Sequence, residues 1–147
     1  AIEVISGAGY TNVVDWWSVG CISYEMIVGI PPFCGDTPED VFMNIMNYEE
    51  SLQFPDNKPE DEEEPAINIS ELAKEFICSL VTAPERRLGK NGTDEIRQHA
   101  WLSIIDWNNF TSQMKPPFVP NLESKNDTSY FPQSQDVNNN EIHQQNN

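Results

Sequence analysis

Apolar residues fall along this chain in blocks, and each block carries its own start and stop signals. Between Val13 and Val28 eleven of sixteen residues are apolar, at helical spacing and on every side. A helix that is apolar all round reads as a buried central helix. Thr11 or Asn12 is placed to cap its start, and Gly29 with the Pro31-Pro32 pair to end it. The next block, TPEDVFMNIMNYEE, opens with Thr37 as N-cap, Pro38 at the first helical position, and Glu39 and Asp40 at the positive helix end. Val41, Phe42, Ile45 and Met46 form its apolar stripe. Ser70 can cap a third helix, ELAKEFICSLVT, in which Leu72, Phe76, Ile77, Leu80 and Val81 share a face. Thr93-Asp94-Glu95 begins a short helix running towards His99.

The connections have equally distinct patterns. Residues 52–68 hold prolines and an acidic run, and are longer than most connections, so they read as a mobile loop or an insertion. Over 106–131 Trp107, Phe110, Phe118, Tyr130 and Phe131 are scattered among polar residues. That pattern suggests an extended segment held to a surface by aromatic anchors. No stretch alternates convincingly as a strand, and no segment repeats. The expected fold class is mainly α.

Composition changes this picture at three points. The chain has 147 residues, enough for one domain, but 133–147 (QSQDVNNNEIHQQNN) cannot bury enough apolar surface to offset the entropy of ordering it. That tail is expected to be disordered. The net charge of -16 argues against nucleic acid and anionic membrane as partners, since both need a basic surface. The run Glu60-Asp61-Glu62-Glu63-Glu64 reads as a solvated loop, with a docking site for a basic partner as the alternative. Cys21, Cys34 and Cys78 are odd in number and widely spaced, which points to free thiols in a reducing compartment: the cytoplasm, or the nucleus. No CxxC or His cluster suggests a metal site, and no stretch is apolar and long enough to span a bilayer.

Five pieces in order carry a family resemblance: AIEV, DWWSVG, YEMIVGIPPFCGDTPED, PERRLGKNGTDEI and PPFVPNLESKNDTSYF. Together they resemble the AGC group of Ser/Thr protein kinases, and within it the NDR/LATS-like branch. The resemblance covers about Ala1 to Phe131. It implies three parts: a partial kinase domain over 1–106, an AGC C-terminal tail over 107–132, and the disordered Asn/Gln-rich 133–147. The fold it implies is the C-terminal helical half of a kinase large lobe followed by an extended tail. Ala1-Ile2-Glu3 resembles the A-P-E signature that closes the activation segment. The Gly-rich loop, the ATP-positioning Lys, H-R-D and D-F-G do not occur in these 147 residues. With no initiator Met or targeting pattern at its start, the chain is expected to come from the middle of a longer protein. ATP and Mg²⁺ would then belong to the full-length parent. This chain alone would need no cofactor and would be inactive.

The resemblance also implies roles for individual residues. Glu3 matches a buried glutamate whose partner is an arginine, here Arg87; without the resemblance, Glu3 reads as an exposed residue near a chain end. Asp15 matches an aspartate that accepts hydrogen bonds from the catalytic-loop backbone, and otherwise reads as a helix-start carboxylate. Trp17, Ile22 and Met26 are implied as structural, the last two as core residues beneath the adenine side. Glu25, in Y-E-M, matches a carboxylate that pairs with an arginine N-terminal to the phosphorylated Ser or Thr; the bland alternative is the polar exit of a helix. Phe131 matches a tail residue lying against the adenine pocket.

Departures from the family pattern are equally specific. Ile2 stands where the signature has Pro, and FPQSQ follows Phe131 in place of acidic residues and a tyrosine. The implied partners are protein substrates with basic residues near the phosphosite and the upstream part of the kinase. A MOB-type co-activator would bind only through residues upstream of these. The competing function is a non-catalytic scaffold or decoy that binds kinase substrates or partners.

Overall fold

The start of the long apolar helix differs from its expected form. In the computed structural model α2 runs Val14–Val28 after a short α1 (Ile2–Ile5), and just ahead of it the Thr11 hydroxyl accepts from the Val13 amide at 3.4 Å. Val13 occupies the N-cap with helical dihedrals. The Thr11 and Asn12 carbonyls accept from the Val14 and Asp15 amides, so a backbone turn satisfies donors that a side-chain cap would otherwise take. Gly29, at φ 90°, ends the helix in the left-handed conformation that glycine adopts without steric cost. The structure describes residues 1–55, 68–113 and 115–131. Most of the 52–68 loop with its acidic run, and the 133–147 tail, lie outside the described residues.

α3 (Pro38–Met46) starts with a full capping box: Thr37 Oγ1 accepts from the Asp40 amide, and the Asp40 carboxylate accepts from the Thr37 amide. The block does not continue as one helix to Glu50. It breaks at Asn47, and α4 (Tyr48–Ser51) follows. The break turns Tyr48 inward, where its ring meets the edge of Trp17 and its hydroxyl accepts from the Ala83 amide and Arg86. The expected α3 stripe splits: Val41 and Ile45 are half-buried, while Phe42 and Met46 are 51% and 44% exposed. α5 (Glu71–Leu80) is capped by Ser70 Oγ on the Ala73 amide. Its buried face is Ala73, Phe76, Ile77 and Leu80, with Val81 next in line; Leu72 is exposed at the edge of the stripe. α6 (Thr93–Arg97), a 3-10 turn at Ala100–Leu102, and α7 (Phe110–Gln113) complete the order, with no strand among the described residues. No helix among them is long and apolar enough to cross a membrane.

The chain divides into two units, Ala1–Phe110 and a second from Thr111. In the first, α2 lies on α5. One core cluster joins Trp17, Tyr24, Phe33, Tyr48, Ile77 and Val81; the other joins Phe76, Leu80 and Ile96, with Trp16, Val19 and Trp101 packed against it. Trp107 is tied locally, its indole N–H donating to the Arg97 carbonyl at 3.2 Å. In the second unit Phe118 and Tyr130 meet edge to face at 5.7 Å, and the Asp127 carboxylate accepts from the Glu123 and Ser129 amides.

Gly20 sets how closely α2 and α5 approach. A Cβ there would lie 2.7 Å from Val81 Cγ2 and 2.9 Å from Leu80 Cβ, both parts of branched or backbone-proximal groups that cannot swing away. Gly20→Ala is therefore expected to destabilise the chain by about 1–3 kcal/mol despite its better helix propensity. Chemical denaturation measures this, and an unchanged midpoint would show that the two helices can separate freely.

Candidate functional site

Arg87 is 1% exposed, and each of its five N–H donors has an acceptor. Nη1 and Nη2 form a fork on the Glu3 carboxylate at 2.6 and 3.0 Å. Nη1 also donates to the Val13 carbonyl, while Nε and Nη2 both donate to the Thr82 carbonyl. The guanidinium carbon stands 5.2 Å over the Trp17 ring, which in turn stacks on Phe33. This group ties together α1, the start of α2 and the end of α5. Glu3 is 7% exposed, and the Arg87 hydrogen bonds hold its carboxyl below the usual range, against the upward push of burial. Among the described residues no buried side-chain nitrogen or oxygen lacks a partner.

The other α2 residues named by the resemblance lie on the opposite side of the helix. Asp15, Ile22, Glu25 and Met26 are all exposed, and with Ser18 they fall at spacings of three, four, three and one. On a helix that spacing makes a single face. Neither Asp15 nor Glu25 has a side-chain hydrogen bond or ion pair to another described residue. Ile22 and Met26, expected in the core, are 51% and 83% exposed. α2 buries Trp17, Gly20 and Tyr24, and nothing among the described residues packs over its outer face. A composition apolar all round therefore gives a helix buried on one side only. Phe131 is 70% exposed and belongs to the second unit.

Sequence reasoning missed a second latch beside the first. Arg86 donates to the Glu49 carboxylate at 2.6 Å and to the Tyr48 hydroxyl at 3.0 Å. The Arg86 contact depresses the Glu49 carboxyl. The partners stand thirty-seven residues apart, so no local spacing signals them. No three His, Cys, Asp or Glu side chains among the described residues are grouped to hold a metal ion.

Comparison with known proteins decides the family. Residues 1–102 match the protein kinase domain. The chain belongs to the protein kinase domain family. Among curated relatives it is 41% identical over 133 residues to the Serine/threonine-protein kinase CBK1 of Saccharomyces cerevisiae, covering 90% of this chain and 16% of that protein. It is 41% identical to gad8 of Schizosaccharomyces pombe, covering 89% of this chain and 21% of that protein. For human LATS1 the identity is 40%, with 89% and 11% covered. The chain thus spans between a tenth and about a fifth of these relatives' lengths. Each of these relatives is a serine/threonine-protein kinase by name.

Breaking the fork should be costly in either direction. Arg87→Met leaves a buried carboxylate without its partner and is expected to cost about 3–5 kcal/mol in a denaturation experiment. Because the Glu3 carboxyl is depressed in the fold, the pair's contribution is complete above the ordinary glutamate range and is lost as pH falls through the depressed value. Stability measured against pH should therefore lose part of its acid limb in Glu3→Gln. An identical acid limb in both proteins would refute the linkage.

Proposed function

We propose that this chain is the lower part of the large lobe of a Ser/Thr protein kinase that transfers the γ-phosphate of ATP to protein Ser or Thr, and that it supplies scaffold and substrate-binding surface. One observation carries this reading: the open stripe Asp15–Ile22–Glu25–Met26 on α2, backed by the buried Glu3–Arg87–Trp17 group. An exposed apolar strip flanked by carboxylates without a described partner suits a surface that other protein segments cover. In this assignment Ile22 and Met26 underlie the upstream half of the domain, and Asp15 accepts backbone N–H bonds from its catalytic loop. Glu25 pairs with a substrate arginine N-terminal to the phosphoacceptor, since an Arg fork on a carboxylate is strong and directional.

ATP and Mg²⁺ provide the phosphoryl group and its charge neutralisation in the full-length protein. The groups that hold them, H-R-D and D-F-G among them, lie outside this sequence. Phe131 is assigned to the rim of the adenine site in that protein. Its substrates carry basic residues near the phosphosite, a MOB-type co-activator would engage upstream residues, and the setting is the cytoplasm or nucleus.

Two measurements test the reading. In the full-length kinase, Glu25→Ala should lower kcat/KM about tenfold or more for peptides with an upstream arginine, and much less for peptides without one. A peptide array in which the arginine preference survives would remove Glu25 from substrate recognition. Titration calorimetry of the 147-residue chain with Mg-ATP should give no micromolar binding; such binding would show that the nucleotide site is complete within it.

A further inference from the structure

The loop between α5 and α6 carries a reactive group that neither the fork nor the kinase reading uses. Asn91-Gly92 is the one Asn-Gly pair in the chain, and both residues are exposed. The Glu95 carboxylate gathers the loop around them. It accepts from the Gly89 amide at 2.8 Å, from the Asn91 amide at 3.4 Å, and from the Asn91 side-chain Nδ2. These bonds, the Asn91 side chain's foremost, hold the Glu95 carboxyl below its usual range, so it is ionised at neutral pH. The Gly92 amide donates to the Gly89 carbonyl at 3.1 Å. Gly89 is pressed against Trp16, where a Cβ would stand 2.6 Å from the indole nitrogen. Trp16 packs on Phe76, Leu80 and Ile96, so closure of the loop reaches the second core cluster.

An asparagine followed by glycine can react with its own backbone, because glycine has no Cβ to block the approach. At this site the Gly92 nitrogen attacks Asn91 Cγ. The N–Cγ bond forms, the Cγ–Nδ2 bond breaks, and the amide proton leaves with the nitrogen as ammonia. Water, the only co-reactant, then opens the five-membered imide at either carbonyl. The product is aspartate or isoaspartate, and its acid releases one proton at neutral pH. The closed loop opposes the first step twice: the attacking nitrogen is tied to Gly89, and the leaving nitrogen is tied to Glu95. We propose that Asn91 is a site of spontaneous deamidation held in check by Glu95, and that the carboxylate it forms releases the loop. In the product a hydrogen bond to Glu95 becomes a contact between two carboxylates, which is repulsive. The neighbouring cations are already engaged, Lys90 with the Glu85 carbonyl and Arg97 with Asp94. Isoaspartate also adds a methylene to the backbone, which shifts Gly89 and Gly92 out of register. Water does not restore the amide, so the release runs one way.

The test incubates the full-length protein that carries this chain at neutral pH, below its melting temperature. Samples are digested with pepsin at acid pH, where the reaction is slow, and mass spectrometry reads conversion of each asparagine amide to the acid. Conversion should appear at Asn91 ahead of the other asparagines of residues 1–110, and at least tenfold more slowly than in a free peptide of residues 86–99. Glu95→Gln should speed it at least threefold while circular dichroism shows the fold kept. Glu95→Asp, which withdraws the carboxylate but keeps its charge, serves if the first variant does not fold. Asn91→Asp should raise hydrogen exchange at the amides of residues 89 and 91 at least threefold over wild type. A wild-type rate equal to the peptide's, earlier conversion at another asparagine of residues 1–110, or an unchanged rate or intact Asn91 in the Glu95 variants overturns the proposal. So does unchanged exchange in Asn91→Asp, since the new carboxylate then leaves the loop closed.

Discussion

The fork between Arg87 and Glu3 is the constraint on which the first unit depends. A buried guanidinium is tolerable only when every donor has an acceptor, and Arg87 meets that condition with one carboxylate and two carbonyls drawn from three parts of the chain. The acceptors must therefore sit where the fork points. Thr82 lies just past the end of α5, Val13 precedes α2, and Glu3 lies in α1, so one side chain holds three chain segments in register. Trp17 completes the arrangement from the face of the guanidinium and passes the constraint into the apolar core through Phe33 and Tyr48. An apolar core of the same volume could be equally stable, but would not specify these three positions so narrowly.

With that register set, the two sides of α2 take different roles. Its inward side packs so closely on α5 that glycine is needed at position 20. Its outward side is left to whatever covers it, and it carries Asp15 and Glu25 together with Ile22 and Met26. Close packing on one side and an open mixed stripe on the other leave α2 with a second face that no described residue covers. Rigidity on the buried side keeps Glu25 at a defined height and angle, as the proposed pairing with a substrate arginine requires.

The parts legible in the sequence were those governed by local chemistry. Thr37 with Pro38, Ser70 and Gly29 each act through bonds within a few residues, and each does so in the structure. The parts that were not legible depend on contacts from across the fold. The break at Asn47 accompanies the pull of Tyr48 toward Trp17 and Ala83, the latter thirty-five residues on. Ala73 is buried and Leu72 exposed because the α2 contact centres on the Ala73–Ile77–Leu80 line, a choice that apolar spacing leaves open. Ile22 and Met26 are exposed here for a related reason: hydropathy counts apolar residues but does not say whether a second layer is present. Glu3 and Arg87, eighty-four positions apart, could be paired beforehand only through motif resemblance, since no spacing rule reaches that far.

Charge placement connects these levels. The first 57 residues contribute carboxylates alone, and the two cations that neutralise any of the described ones arrive together at Arg86 and Arg87. Arg87 is committed to the interior and Arg86 to Glu49 and Tyr48, so neither is free to quench the acidic surface of α2 and α3. With none of its exposed carboxylates on α2 and α3 paired to a described cation, that surface keeps an outward negative field around exposed Ile22, Met26, Phe42 and Met46. Apolar area inside a single-sign field selects its partners by charge before contact and by shape after it. The arrangement that stabilises the core thus also leaves the carboxylates on the outer faces of α2 and α3 without a described cation, because both results depend on where the two arginines are placed.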